Sequence, residues 1–453
     1  MSAAGAVGAA LRRLTGTLSG LQWQALPLDV RHRSALVLAD DLAAILAARD
    51  EPEVIALQDG LASASGPPEA TVFNGRAMRL DRYSAALANG CAGDWAELDE
   101  GYRRVICHAG LYTLPALLAE AEAGPYTGED LLRALVIGYE TVARVARCFT
   151  FPNLVLHPHG SLAAVGAAAA VAALRRVDPD HAAGAISSAA TMVCPGPYTH
   201  PIQGALVRNV WPGVAAQTGL RAVDWAGIGI RGLPSALHDV YVDAFGARAD
   251  PSELQDGLGT DWAISEGYHK VYACCQYGHA TIEASVKLRA RGVAASDIAA
   301  ISLQTHEKAR LMDNPDPETT IAAKFSIQHI AATAAVHGGG AAEAFSAASL
   351  GLPDVARLRA AVSLAPFTPL PDWPNDRPTR VTWRLRDGTE LVEEVLSARG
   401  GPDLPFSPAE IRGKIHGIVS PVYPAMAGGL DALLALEPDT LARPWSESVA
   451  RMT

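Results

Sequence analysis

The hydrophobic period of this chain changes twice, and those changes constrain its fold more than any single motif. Up to about residue 272, apolar residues recur at helical spacing, as in Val37, Leu38, Leu42 and Leu46. From Ala299 the pattern alternates, with Ile301, Leu303 and Thr305 on one strand face. Two more strands are predicted near 361–365 and 379–386. Asp387-Gly388 is the strongest short hairpin signal, with the returning strand over 389–396. Helices are expected near 320–338 and 340–349. Beyond 404 helical spacing returns, with Ile411, Ile415 and Ile418, then Leu430, Leu433 and Leu434. At 453 residues the chain exceeds what one hydrophobic core usually serves. The expectation is a mainly α protein: a helical domain from both chain ends, 1–272 and 404–453, with an inserted α+β unit over 273–403.

Residues capable of chemistry cluster in a few stretches. Between Asn89 and Ala123 lie Asp94, Glu97, Asp99, Glu100, Arg103, Arg104 and His108, just before an apolar helix expected over about 111–121. Proton-capable groups held against a rigid buried helix suit a small-acid site. Read alone, the stretch fits a solvated acidic turn equally well. A capping-box signal at Thr127–Asp130 starts the next helix, 131–149, which carries Gly138-Tyr139-Glu140. Such a Tyr-Glu pair is more often a buried hydrogen-bonded pair than a catalytic one.

His157 and His159 stand just before an Ala/Gly-rich run, 162–178, that reads as a closely packed helix. Unpaired N–H groups at its start favour an anion. A metal site is the rival reading, and a His-x-His step without a spaced acid supports it weakly. The Pro-rich loop 194–209 carries His200 and Gln203 and delivers Arg208, which suits a pocket wall. A third cluster holds Tyr268, His269, Lys270, Tyr272, Tyr277 and His279.

The formal net charge of −11 provides no basic excess for phosphate neutralisation, which argues against nonspecific nucleic-acid binding. A locally basic site for an anionic small molecule stays open. The six cysteines form no CxxC pair, and reduced thiols in a cytoplasmic protein are expected. The first residues lack the order of a secretory leader. The run Leu162–Leu174 has thirteen residues, where a membrane span needs about twenty.

In order along the chain come NG…LDEG…CHAG…LPALLAEAE, LLRALVIGYE, LHPHGSLAAVGAAAA, HKVYACC and AAKFSIQH. This ordered set resembles the MmgE/PrpD family over roughly residues 35–440. Its members include 2-methylcitrate dehydratase, cis-aconitate decarboxylase and iminodisuccinate epimerase. The resemblance implies a large all-helical domain, a smaller α+β lid, a homodimer, and an active site between the domains without metal or organic cofactor. His108, His157 and Lys270 match family active-site positions. Glu97-Leu98-Asp99-Glu100-Gly101 stands where the family usually has an Asp-rich DFDD followed by a hydroxyl residue. Arg208 stands at a lysine position and His329 at a tyrosine position.

The candidate catalytic residues are therefore His108, His157, Lys270 and Asp99. The candidate substrate contacts are Glu97, Tyr102, His200, Arg208, Tyr272 and His329. Cationic anchors and histidine bases suit a lyase, either dehydratase or decarboxylase, acting on a small di- or tricarboxylate of citrate or aconitate type. The alternative is an epimerase or isomerase of a small dicarboxylate, which the missing hydroxyl at Gly101 favours. A binding protein that kept the pocket is the reading from another class.

Overall fold

Helices begin where the sequence supplies a cap. In the computed structural model, which describes residues 2–453, Thr127 and Asp130 form a reciprocal capping box that opens the helix Gly128–Cys148. Asp81 caps Arg82–Trp95 and Asp178 caps Pro179–Ala190, each accepting from backbone N–H groups. The fold is mainly α, with twenty-two α-helices and ten short strands among the described residues.

Small residues let the central helices approach closely. Ala163–Leu174 is buried along nearly its whole length and packs against Ala109–Ala123, Gly128–Cys148 and Trp211–Gly227. A Cβ at Gly219 would lie 2.4 Å from the Cβ of Ala167 and 2.7 Å from the backbone nitrogen of Ala168. The two helices therefore meet at a contact that only glycine permits.

The alternating segment forms one four-stranded sheet in the order Glu390–Val395, Thr379–Leu385, Ile298–Thr305, Val362–Pro366. The Asp387-Gly388 turn closes the expected hairpin, with Arg384 opposite Glu390. Val362–Pro366 runs parallel to Ile298–Thr305, with Leu303 opposite Leu364. A parallel pair needs a long crossover, which the helices between residues 307 and 360 supply.

Three two-residue antiparallel pairings lie outside that sheet, so the expectation of a strictly all-helical remainder is corrected. They are too short to leave a period in the sequence. One of them sets Gly101 opposite Tyr268 and Tyr102 opposite Gly267. It joins the acidic stretch to the stretch that carries Lys270.

Buried apolar residues fall into two clusters. One draws on residues 7–264 and 411–452, the other on 273–398 together with Ala44, Ala96 and Leu98. Trp95 belongs to the first, and its neighbour Ala96 to the second. The acidic stretch thus runs along the seam between them. Among the described residues no helix is long and apolar enough to cross a membrane.

Candidate active site

The acidic turn is buried, not solvated. Asp94, Glu97, Asp99 and Glu100 are each at most 1% exposed. Four buried carboxylates need cations, protons or donors. Glu97, just past the end of Arg82–Trp95, adopts a left-handed φ of 54°, a conformation that costs a non-glycine residue energy.

Glu97 reaches two cations. Its Oε1 lies 2.5 Å from Arg208 and its Oε2 lies 3.2 Å from Lys270 Nζ. Lys270 Nζ also donates to Asp99 Oδ1 at 3.2 Å. Burial alone would raise the Glu97 carboxyl, but Arg208 and Lys270 hold it down at about 2. Asp99 is likewise held low against burial, by Lys270 and His108. Burial would discharge Lys270, yet Asp99 and Glu97 keep its pKa well above the ordinary lysine value. Arg208 also meets Asp94 at 2.5 Å, through the same nitrogen that faces Glu97. Burial dominates at Asp94, whose second oxygen has no partner, and pushes its pKa up to about 8. With a proton on Asp94, the charges of Glu97 and Asp99 balance those of Arg208 and Lys270.

The two candidate histidines are hydrogen-bonded in opposite senses. His108, at the start of Ala109–Ala123, places Nδ1 2.5 Å from Asp99 Oδ2. A carboxylate only accepts, so Nδ1 carries a proton, and in the neutral ring Nε2 is a bare base. His157 uses Nδ1 to accept the backbone N–H of His159 at 3.3 Å. Its proton therefore sits on Nε2, which is a donor. Burial pulls the His157 pKa well below the ordinary value, so the neutral ring prevails. Its backbone is fixed by an N–H bond of 2.7 Å to the Gly196 carbonyl, and its ring stacks on Tyr198 with centroids 5.7 Å apart.

His159 lies between the two, in edge contact with His108 at 4.8 Å and with His157 at 4.5 Å. It has spent both nitrogens, one against the Tyr112 hydroxyl at 2.8 Å and one against Asp94 at 2.9 Å. It aligns its neighbours and has no free atom for a ligand.

One cavity is lined by His108, His157, Lys270, Arg208, Glu97 and Tyr102. Asp99 stands behind it, bonded to His108 and Lys270. Three further candidate residues are outside its lining. His200 packs against Trp211 at 6.3 Å, and Tyr272 against His279 at 5.2 Å. His329 is spent inside the second apolar cluster, on the Ala344 carbonyl at 3.2 Å and on Arg359 at 3.3 Å. Tyr139 and Glu140 behave as a structural pair: Tyr139 donates to Glu100 at 2.9 Å, and Glu140 accepts from Ala263 N–H at 2.8 Å.

The cavity also takes residues that sequence reasoning did not choose, among them Tyr268 and Arg377. Tyr268 places a phenol hydroxyl beside Gly101. A Cβ at Gly101 would lie 2.4 Å from the Tyr268 hydroxyl, so a phenol from the paired strand fills that space. Arg377 donates to Gln276 and, at 3.2 Å, to the Arg103 carbonyl, and its Nε has no hydrogen-bond partner. No spacing signal could have found it. Among the described residues the one side-chain set spaced to hold a metal ion is His238, Asp239 and Asp243, largely exposed and outside the cavity lining.

Comparison with known proteins gives concordant matches. The MmgE/PrpD N-terminal domain matches residues 12–246, and the MmgE/PrpD C-terminal domain matches residues 272–434. A cis-aconitate decarboxylase of Aspergillus terreus is 26% identical over 290 residues, covering 60% of this chain and 59% of that enzyme's length. The cis-aconitate decarboxylase-like protein oryM of Aspergillus oryzae is 26% identical over 431 residues, 88% of each chain. With both family domains matched in order across most of its length, the chain belongs to the MmgE/PrpD family.

Proposed function

We propose that the protein is a lyase acting on a small di- or tricarboxylate of citrate or aconitate type by histidine acid–base chemistry. The complementary hydrogen bonding of His108 and His157 around one cavity carries this reading. His108 presents a bare Nε2 backed by Asp99, the arrangement of a general base. His157 presents an Nε2–H, the arrangement of a hydrogen-bond donor to a leaving group or a developing negative charge. Arg208, Lys270 and Arg377 supply positive charge for the substrate carboxylates, and the Arg forks suit bidentate pairing.

In the dehydratase version, His108 takes the proton next to a carboxylate, the His157 Nε2–H hydrogen-bonds the departing hydroxyl, and the hydroxyl leaves as water with the proton that His108 took. In the decarboxylase version, carbon dioxide leaves, the electron pair remains on the allylic carbon, and a protonated histidine or the Lys270 ammonium delivers the proton to it. The relatives named for cis-aconitate decarboxylation support the second version. The segment 273–403 acts as the lid, and the working form is a cytoplasmic homodimer. Two histidines from separate elements also suit an epimerase of a small dicarboxylate. Deuterium uptake from heavy water without elimination or loss of carbon dioxide identifies that case.

The test is incubation with citrate, 2-methylcitrate and cis-aconitate, following substrate loss and product by chromatography. Turnover of at least one is expected. No turnover of any hydroxy or unsaturated tricarboxylate overturns the reading.

A further inference from the structure

A second cavity, of about 360 Å³, adjoins the stretch that carries Lys270. Consecutive residues of an extended segment point to opposite sides. Lys270 lines the first cavity, and its neighbour His269 lines the second. The other walls include His32, Arg33 and Leu36 of the helix Leu28–Ala47, with Phe406 just before the helix Pro408–Val419 and Ile411 within it.

Two polar groups there lack the partners their chemistry calls for. His269 is 3% exposed, and its Nδ1 lies 2.8 Å from Asp40 Oδ2. The carboxylate accepts, so Nδ1 carries the proton and Nε2 is a bare acceptor with no hydrogen-bond partner. A buried acceptor left without a donor is a standing cost. Arg33 donates only to the carbonyls of Gly267, at 2.8 Å, and Ile264, at 3.4 Å, and forms no ion pair. The neighbouring Arg412 is already paired with Asp431 at 3.1 Å.

We infer that this cavity is a second binding site, for a small hydroxycarboxylate. The Arg33 guanidinium takes the carboxylate, the ligand hydroxyl donates to His269 Nε2, and Leu36, Phe406 and Ile411 cover the carbon skeleton. The site shares a support with the first cavity. Lys414 bridges Asp40, at 2.6 Å, and the Leu98 carbonyl, at 2.7 Å, between Glu97 and Asp99. The inference stands apart from the proposed reaction, because it concerns binding by residues outside the first cavity.

The probe is L-malate, with succinate as the analogue lacking the hydroxyl. Crystals soaked in each acid locate the ligand, and titration calorimetry counts it. Malate density between Arg33 and His269 is expected. Leu36→Trp, which fills the cavity, is expected to remove one bound malate per chain. His269→Asn keeps a donor for Asp40 but, being shorter, puts no acceptor at the Nε2 position, so the preference for malate over succinate, about tenfold for one hydrogen bond, is expected to vanish at this site. An empty cavity at saturating malate, unchanged stoichiometry in Leu36→Trp, or an undiminished malate preference in His269→Asn overturns the inference.

Discussion

At the scale of single residues, the site is governed by how two cations divide among three carboxylates. Glu97 occupies both Arg208 and Lys270, so a substrate carboxylate must compete with it. Glu97→Gln removes that competitor and is expected to tighten citrate binding about tenfold by calorimetry. Weaker binding contradicts the role. Asp99 sets the tautomer of His108, and Asp99→Asn is expected to lower kcat by about 10²–10⁴. A KM effect without a kcat effect argues against it. His108, His157, Lys270, Glu97 and Arg208 were legible because each stands in a motif whose order the sequence displays. Arg377 was not, because it reaches the cavity through tertiary packing, and Tyr268 stood in the Lys270 cluster without a role. At Gly101, where the chain has no hydroxyl side chain, the Tyr268 phenol fills the space.

At the scale of elements, close helix approach frames the site. Gly219 sits against Ala167 with no room for a methyl group. Gly219→Ala is expected to destabilise the protein by about 1–3 kcal/mol, measured by denaturant unfolding, and unchanged stability contradicts the packing described. The sheet strands were legible within a few residues because alternation and the Asp387-Gly388 turn are local signals. The parallel pairing of Val362–Pro366 with Ile298–Thr305 was not, since it depends on a crossover of more than fifty residues. The two-residue ladder that brings Tyr268 beside Gly101 carries no period at all.

At the scale of the whole molecule, buried protons link the site to stability. Burial pushes Asp94 up to about 8 from a model-compound value of 3.8. Between those values the native chain holds a proton that the unfolded chain releases. Asp94 therefore contributes stability that falls as pH rises through this window. Asp94→Asn is expected to remove up to about 1.4 kcal/mol per pH unit of that slope, read from unfolding midpoints across the window. An unchanged slope contradicts a protonated Asp94. The change of hydrophobic period announced the mainly helical character. That the acidic stretch runs along the seam of two apolar clusters was visible only once the chain was folded. In the proposed reaction His108 and His157 act together on one substrate. The most direct test is single-turnover kinetics on cis-aconitate with the wild-type protein, His108→Ala and His157→Ala. Product formation by the wild type and a loss of about 10²–10⁴ in rate for each variant are expected. An undiminished rate in either variant contradicts their joint role.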